Sequence, residues 1–351
     1  MTSSSLKNNP ALPRWPKISV ILPTYNAAGI LDDCLKAIAA QDYPSDAVEI
    51  IVADGGSSDR TREIATAHRA LVLNNPKKTG EHGKAVAIKK ARGEILALID
   101  SDNIIADRRY FKLLAETFRY PAVIGAQPVK FGYRRTDRSL NRYAALLGMV
   151  DPLVLFQGTY DHWCGITGKW TAIPHQEQRE PHCRIVTFPG PLYPTIGANG
   201  FFIRRSVVEK YFHGDYYVDI DLVRQVLRAD ARAAVAIVDT SIIHVFCDSL
   251  SSYIRKQRRR IKDYLHSLRV GTRVPVIEQR NSYGQLLFIL STVTLIPVLI
   301  QMLIGLIRRP DWAWFWHPVL CWVTLWVYGW GFVRNRKRTE LASREGWRQS
   351  H

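Results

Sequence analysis

Apolar positions follow two rhythms over the first hundred residues. Ile18-Ser-Val-Ile-Leu22 is a short run of the kind a buried strand shows, and Ile30, Leu31, Cys34, Leu35 and Ile38 then recur at helical spacing. Residues 48–53 predict a second strand, 61–70 a second helix, 85–91 a third helix and 95–99 another strand. This βαβαβ order predicts an α/β fold, a Rossmann-like and mostly parallel sheet with helices on both faces, because parallel neighbours need a crossover. From about residue 134 to 195 the regularity fades, and Trp163, Trp170, several histidines and prolines accumulate. A last apolar strand, 234–238, precedes Ser241-Ile-Ile-His244 and a basic helix near 253–268.

Two later stretches contain no Lys, Arg, Asp or Glu: 283–307, and 312–333, where His317 is the one weakly ionisable residue. Each exceeds the roughly 20 apolar residues that cross a bilayer core. The second holds six of the ten tryptophans, placed mainly towards its ends as an interfacial belt would be. Pro297 is expected to kink the first. Only Arg308-Arg-Pro-Asp311 separates the two, so the pattern predicts a two-helix transmembrane hairpin; the alternative is a pair of buried core helices. Residues 1–15 are polar and lack the apolar run of a signal peptide.

Charge adds to this picture. The chain has 351 residues, with 48 Lys+Arg against 31 Asp+Glu, a formal net charge of +17. Most of the excess lies late: residues 252–280 carry nine Lys/Arg against Asp263 and Glu278, and the tail after Val333 carries six against Glu340 and Glu345. Positive residues favour the cytoplasmic face, so the expected location is the cell (inner) membrane, multi-pass, with the N-terminal domain and C-terminus cytoplasmic. The basic blocks then read as contacts to anionic membrane lipids, against the plainer reading of a solvated charge run. Five cysteines without a CxxC pair suit a reducing compartment and exclude a disulfide framework. The chain has no GxxxxGK[ST] or GxGxxG, and no recognisable nucleic-acid module, so nucleic acid is not an expected partner.

Polar clusters follow three of the expected strands: Pro23-Thr-Tyr-Asn26, Asp54-Gly-Gly-Ser-Ser-Asp59 and Asp100-Ser-Asp-Asn103. Ligands of open α/β sheets bind at these carboxyl ends. Asp100 and Asp102 stand two residues apart, where a bend can turn both towards one hard cation; the plain alternative is an ordinary turn. Asp54 beside two glycines can meet the edge of a base, or simply shape a strand-to-helix turn with Asp59 capping the helix.

Val20-Ile-Leu-Pro-Thr-Tyr-Asn26, Val52-Ala-Asp-Gly-Gly-Ser-Ser-Asp59, Gly83-Lys84 through Ala91-Arg-Gly-Glu94 and Leu98-Ile-Asp-Ser-Asp-Asn103 resemble, in order and spacing, the donor half of family 2 glycosyltransferases of the GT-A fold. The resemblance covers residues 17–126 and resumes at Gly197-Ala-Asn-Gly-Phe-Phe-Ile-Arg204 and Val218-Asp-Ile-Asp-Leu222. It implies inverting, metal-dependent transfer of a hexosyl group from a nucleoside diphosphate sugar, with a UDP-sugar favoured over a GDP-sugar and Mn²⁺ or Mg²⁺ as cofactor. Pro23, Tyr25, Asn26 and Asp54 would hold the nucleoside, Lys84 the donor charge, Asp100 and Ser101 the ribose and nearby phosphate. Asp102 would hold the metal with Asp100, and His244 is a further candidate ligand. Asp219 would be the base, although Val218 stands where the family commonly has Glu, and Asp221 competes for the role from the acceptor side. Gln257-Arg-Arg-Arg260-Ile261 is similar to the QxxRW element of membrane-bound synthases, with Ile261 in place of Trp; Arg260 would grip the diphosphate. Trp163, Trp170, Asn199 and Gly200 are the remaining acceptor-side candidates.

The expected organisation is a polar leader (1–16), a GT-A catalytic domain (17–250, donor half 17–130 and acceptor half 131–250), a basic interfacial helix (251–282), two transmembrane helices (283–307 and 312–333) and a basic tail (334–351). The expected activity is transfer of one sugar to a lipid-linked, membrane-embedded hydroxyl acceptor. A polyprenyl-phosphate sugar synthase, whose acceptor needs no base, is the alternative within the class. A noncatalytic protein binding anionic lipid is the alternative outside it.

Overall fold

The computed structural model describes residues 15–270 and 281–335. The expected leader, the end of the basic segment and most of the basic tail lie outside these. In chain order the elements are β1 (Ile18–Thr24), α1 (Ala28–Ala39), β2 (Val48–Asp54), α2 (Thr61–Ala67), β3 (Leu71–Asn74), α3 (Gly80–Ile88), β4 (Ile95–Leu98), β5 (Asn103–Ile104), α4 (Tyr110–Glu116) and β6 (Val123–Gly132). There follow α5 (Ser139–Leu147), α6 (Leu153–Gln157), β7 (Gln176–Glu180), β8 (Cys183–Thr187), β9 (Phe201–Arg204), α7 (Arg205–Tyr211), α8 (Asp219–Ala229), β10 (Ala234–His244) and α9 (Leu250–Val270). The last helices are α10 (Ser282–Thr294), α11 (Ile296–Arg308) and α12 (Trp316–Asn335). The described residues divide into two units: those to 129 with 174–243, and 130–173 with those from 244 to 335.

The first unit is built on one sheet, in the order β3-β2-β1-β4-β9-β6-β10-β8-β7, with β5 paired to β10. β1 is wholly buried at Ile18, Val20, Ile21 and Leu22, as a central strand covered on both faces requires. β1, β2, β3 and β4 pair in parallel, while β9 enters beside β4 antiparallel, and β6–β9, β8–β10 and β7–β8 are also antiparallel. The sheet is therefore mixed, which corrects the mostly parallel expectation. Gly125 makes the β6–β9 contact possible, because a Cβ there would overlap the ring of Phe201.

Two registers place the site. Thr24 lies beside Asp54 and Ile21 beside Leu98, so the carboxyl ends of β1, β2 and β4 share one edge. Chain order runs outward from β1 to β2 and β3 on one side and to β4 on the other, which makes the β1/β4 boundary a topological switch point.

The second unit is helical. Trp314 is fully buried in its core among Tyr143, Leu146, Tyr160 and Leu320. Gly305 makes room for it, since a Cβ there would stand 2.5 Å from the indole. One face of α9, Tyr253, Gln257, Ile261 and Leu265, is buried at i, i+4 spacing, and Arg255, Arg258 and Lys262 are exposed. Tyr253 hydrogen-bonds Thr324 at 2.8 Å, Gln257 accepts from Tyr328 at 3.2 Å, and Ile261 fills the space beside Gly331. These pairs advance together, so α9 and α12 run parallel.

The expected two-helix transmembrane hairpin is not built from two continuous helices. The first span is broken at Leu295 (φ +63°) into α10 and α11, which meet at 90°. Pro297 lies in the first turn of α11, where its missing N–H breaks no helical bond, so it starts a helix rather than kinking one. The intervening turn is tied back to the unit: Arg142 pairs with Asp311 at 3.0 Å, and Arg308 donates to the carbonyl of Ile166. Among the described residues no single helix is long and apolar enough to cross a membrane; the bent pair passes only by combined length and composition.

Asp311 has two duties, the Arg142 pair and acceptance of the Ala313 amide at 2.8 Å. Asp311→Ala is expected to lower stability by about 2–3 kcal/mol, since it leaves a largely buried guanidinium unpaired and removes a cap. Denaturant unfolding in detergent checks this, and Asp311→Asn, which keeps the cap, should lose less.

Candidate active site

At the end of β2 the Asp54 side chain is fully buried, and both its oxygens are occupied. Oδ1 accepts from Thr24 Oγ1 at 3.1 Å and Ser57 Oγ at 2.5 Å. Oδ2 accepts the amides of Gly56 at 3.1 Å and Ser57 at 2.9 Å, with Arg62 at 3.4 Å. Asp54 therefore shapes its own loop. Gly56 takes φ +81° there, and Gly55 leaves only 3.1 Å between a notional Cβ and the Tyr25 ring. Asn26 (φ +47°) ties this loop to the end of β1: its amide donates to Ser57 Oγ and its Oδ1 accepts the Ser58 amide. Asp59 accepts the Ala28 and Thr61 amides, joining the starts of α1 and α2. Pro23 packs beside Gly83 of α3, and the Lys78 ammonium lies 6.0 Å from the Tyr25 ring centroid.

The 100–103 loop after β4 is organised by Asn103, which is wholly buried. Its amide donates to the Asp100 carbonyl at 2.9 Å, its Oδ1 accepts the Asp100 amide at 3.2 Å, and its Nδ2 reaches Asp102 at 3.5 Å and Asn199 at 3.4 Å. Ser101 is buried, Asp102 half-buried, and the Asp100 side chain is 35% exposed.

Lys84 stands between carboxylates from two other elements. Its ammonium lies 2.5 Å from Asp219 at the start of α8 and 3.4 Å from Asp100, with both Lys84 and Asp219 buried. Burial opposes the Lys84 charge, but Asp100 and Asp219 more than offset it, and the pKa rises above the ordinary lysine value. Burial, and behind it the charge of Asp100, push the Asp219 carboxyl up to about 6, although the Lys84 ammonium pulls the other way. One oxygen of Asp219 is buried with no hydrogen-bond partner. A carboxylate with that pKa and a free acceptor oxygen is suited to take a proton near neutral pH.

The structure thus gathers Pro23, Tyr25, Asn26, Asp54, Lys84, Asp100, Ser101, Asp102, Asn199 and Asp219 within the first unit. It separates Asp219 from Asp221, because two residues of helix turn a side chain by roughly 200°. Gly200 (φ +82°) is buried, and a Cβ there would run into Ile242 and Tyr110. A glycine is therefore required there by packing as well as by backbone conformation. Glycosyl transferase family 2 is the family whose model matches residues 19–212. The chain belongs to that family.

Among family 2 relatives, glycosyltransferase AglE of Haloferax volcanii is 39% identical over 93 residues, 25% of this chain and 31% of its own. Poly(ribitol-phosphate) beta-N-acetylglucosaminyltransferase TarS of Staphylococcus aureus is 37% identical over 95 residues, 25% of this chain and 17% of its own. The chain thus matches less than a third of either relative's length. The solved structure of mannosyltransferase PcManGT from Pyrobaculum calidifontis, in complex with GDP-Man and Mn²⁺, superposes with a TM-score of 0.51 at 15% identity, over 93% of this chain and 90% of that one. The fold is GT-A.

The other expected site residues belong to the second unit. His244 packs with Phe131 and Phe246, at centroid distances of 5.8 and 5.7 Å. Among the described residues no three His, Cys, Asp or Glu side chains form a group able to hold a metal. Trp163 is half-buried and Trp170 buried. Gln257 is wholly buried; it accepts from Arg260 at 3.1 Å and donates to Tyr253 at 2.8 Å, while the Arg260 guanidinium lies 5.2 Å from the Phe246 ring centroid. Tyr328 joins this network by donating to Asp151. Asn103, Ser57 and Thr24 are the site residues that sequence reasoning left without a role, although all three stand inside the quoted motifs.

Replacing Lys84 by Met leaves Asp219 facing Asp100 without the intervening cation. The Asp219 titration midpoint is expected to rise by about 1–3 pH units, measured by carbon-detected NMR on selectively labelled protein. Lys84→Arg should leave it nearer the wild-type value.

Proposed function

We propose that the first unit transfers a single sugar, with inversion, from a nucleoside diphosphate sugar to the hydroxyl of a lipid-linked acceptor. The observation that carries this reading is the convergence of Lys84, Asp100, Asp102 and Asp219 at the switch-point edge of a family 2 domain. A UDP-sugar is the favoured donor, with a GDP-sugar as the other candidate. PcManGT, which shares the fold, binds GDP-Man and Mn²⁺.

The donor set fits a divalent cation. Two carboxylates on one tight loop match the way Mg²⁺ or Mn²⁺ is held by one or two protein carboxylates with substrate phosphates completing the shell. Asp102 and Asp100 would hold it, and it would supply charge neutralisation for the departing diphosphate. The Asn26 and Asp54 loops form the nucleoside side of the site, with the Tyr25 ring as an apolar surface. Lys84 holds Asp219 in place and balances the two carboxylates. Asp219 accepts the proton of the acceptor hydroxyl as that hydroxyl attacks the anomeric carbon and the diphosphate leaves from the opposite face.

The first test is a thermal-shift panel on detergent-purified protein, with UDP, GDP, CDP and ATP each tested with and without Mn²⁺. One diphosphate is expected to stabilise the wild type only with metal, and Asp102→Ala should abolish that effect. No shift from any diphosphate at saturation would overturn the reading and move the noncatalytic lipid-binding alternative forward.

Asp219 must be deprotonated to act, so turnover is expected to rise through about pH 6 and to fall away below it. Asp219→Asn should lower kcat by about 10²- to 10⁴-fold while nucleotide affinity is retained. Near-normal turnover of that variant would instead mark an acceptor that is already anionic, such as a polyprenyl phosphate.

A further inference from the structure

Exposed apolar surface is concentrated in one part of the chain. Of the twenty-two large hydrophobic side chains exposed among the described residues, only Leu71, Leu192 and Tyr216 lie outside residues 283–333. A water-facing surface does not collect nineteen such residues in about fifty positions without a partner to cover them. The same segment keeps polar contacts inside: His317 is wholly buried between Tyr143 and Gln301, and Asp311 pairs with Arg142. Apolar groups outside and paired polar groups inside is the arrangement that a lipid solvent selects.

The backbone decides how such a segment can meet lipid. α10 begins against α6, where Gly284 lies under the Phe156 carbonyl and Phe288 packs edge-on to Phe156. α11 ends at Arg308, bound to the Ile166 carbonyl, and Asp311 follows on Arg142. Both ends of the pair are therefore fastened to the same unit; beside the elbow at Leu295, Val298 packs on Cys321 of α12 and the large apolar side chains of the opposite face stay exposed. Each arm has 13 residues, about 20 Å of helix. Arms meeting at 90° and entering symmetrically reach a depth of about 14 Å, roughly half of the ~30 Å hydrocarbon core. Val293, Leu295, Ile296, Leu299, Ile300 and Leu303 are the exposed residues at and beside the elbow.

We propose that the α10–α11 elbow dips into one leaflet of a lipid bilayer and returns to the side it left, and does not cross. The neighbouring helices agree in charge with a bilayer bearing anionic lipid. α12 presents Trp326 and Trp330 to the outside, as interfacial tryptophans do, and it packs along α9, whose outer stripe is Arg255, Arg258 and Lys262. A helix with that stripe belongs at headgroup level and not in the core.

The test uses the full chain carrying Thr136→Cys and Arg309→Cys, two exposed positions in this unit, reconstituted into vesicles of phosphatidylcholine with phosphatidylglycerol. The five native cysteines are buried, so background reaction with a membrane-impermeant maleimide is low. Both introduced cysteines are expected to react in the same molecules, and a fluorophore at Ile300→Cys to be quenched by brominated acyl chains. Leu299→Glu with Leu303→Glu should lower partitioning into the vesicles by about 100-fold, with helical content and melting by circular dichroism unchanged. Phosphatidylcholine alone should bind more weakly than the mixture. Three results would overturn the proposal: Arg309→Cys reacting only in molecules where Thr136→Cys does not, which means a spanning hairpin; no partitioning into vesicles; or self-association that shields the Ile300 probe in the absence of lipid.

Discussion

One buried cation holds the first unit's polar edge together. Lys84 comes from α3, Asp100 from the end of β4 and Asp219 from the start of α8, three elements with no other reason to present charge to one point. A buried ammonium is tolerable only where carboxylates compensate it, and a buried carboxylate only where a cation does. The constraint is mutual: α8 is located by the same contact that tunes its first residue. Two carboxylates against one ammonium leave a net negative site, which suits a divalent cation better than the bare sheet edge would.

The parallel half of the fold was legible because strands buried on both faces read as apolar runs: β4 is one throughout, β1 is interrupted near its start by Ser19, and β2 becomes one after Glu49. β3 was missed: it is an edge strand of four residues with Leu71 half exposed, and nothing in its local pattern marks it. β9 was visible as a motif, yet its antiparallel insertion beside β4 depends on Gly125 accommodating Phe201, a relation between residues 76 apart in sequence. Pairing of that kind leaves no trace in a local window. The 130–173 segment, read from the sequence as part of the acceptor half, clusters with the C-terminal helices for the same reason.

In the candidate site the residue types were legible and their roles less so. Asp54 stood out as a carboxylate beside two glycines, but its acceptor capacity is taken up by Thr24, Gly56, Ser57 and Arg62, a fact set by three-dimensional packing. Asp219 and Asp221 were rivals in sequence, and helical geometry alone divides them. The apolar C-terminal segments were read correctly as apolar; their path was not, because Arg308 and Asp311 looked like the solvent-facing tip of a hairpin while their partners lie 142 and 169 residues away.

The saturation of Asp54 has a thermodynamic consequence. Residues 55–57 are ordered by hydrogen bonds within the chain itself, so the entropy lost in arranging them is lost at folding. Under the proposed function, a nucleotide arriving at this edge meets a surface the chain itself has shaped, and its affinity reflects contacts made rather than loop closure completed. Association there is a docking event, with little of the heat-capacity change that accompanies coupled folding.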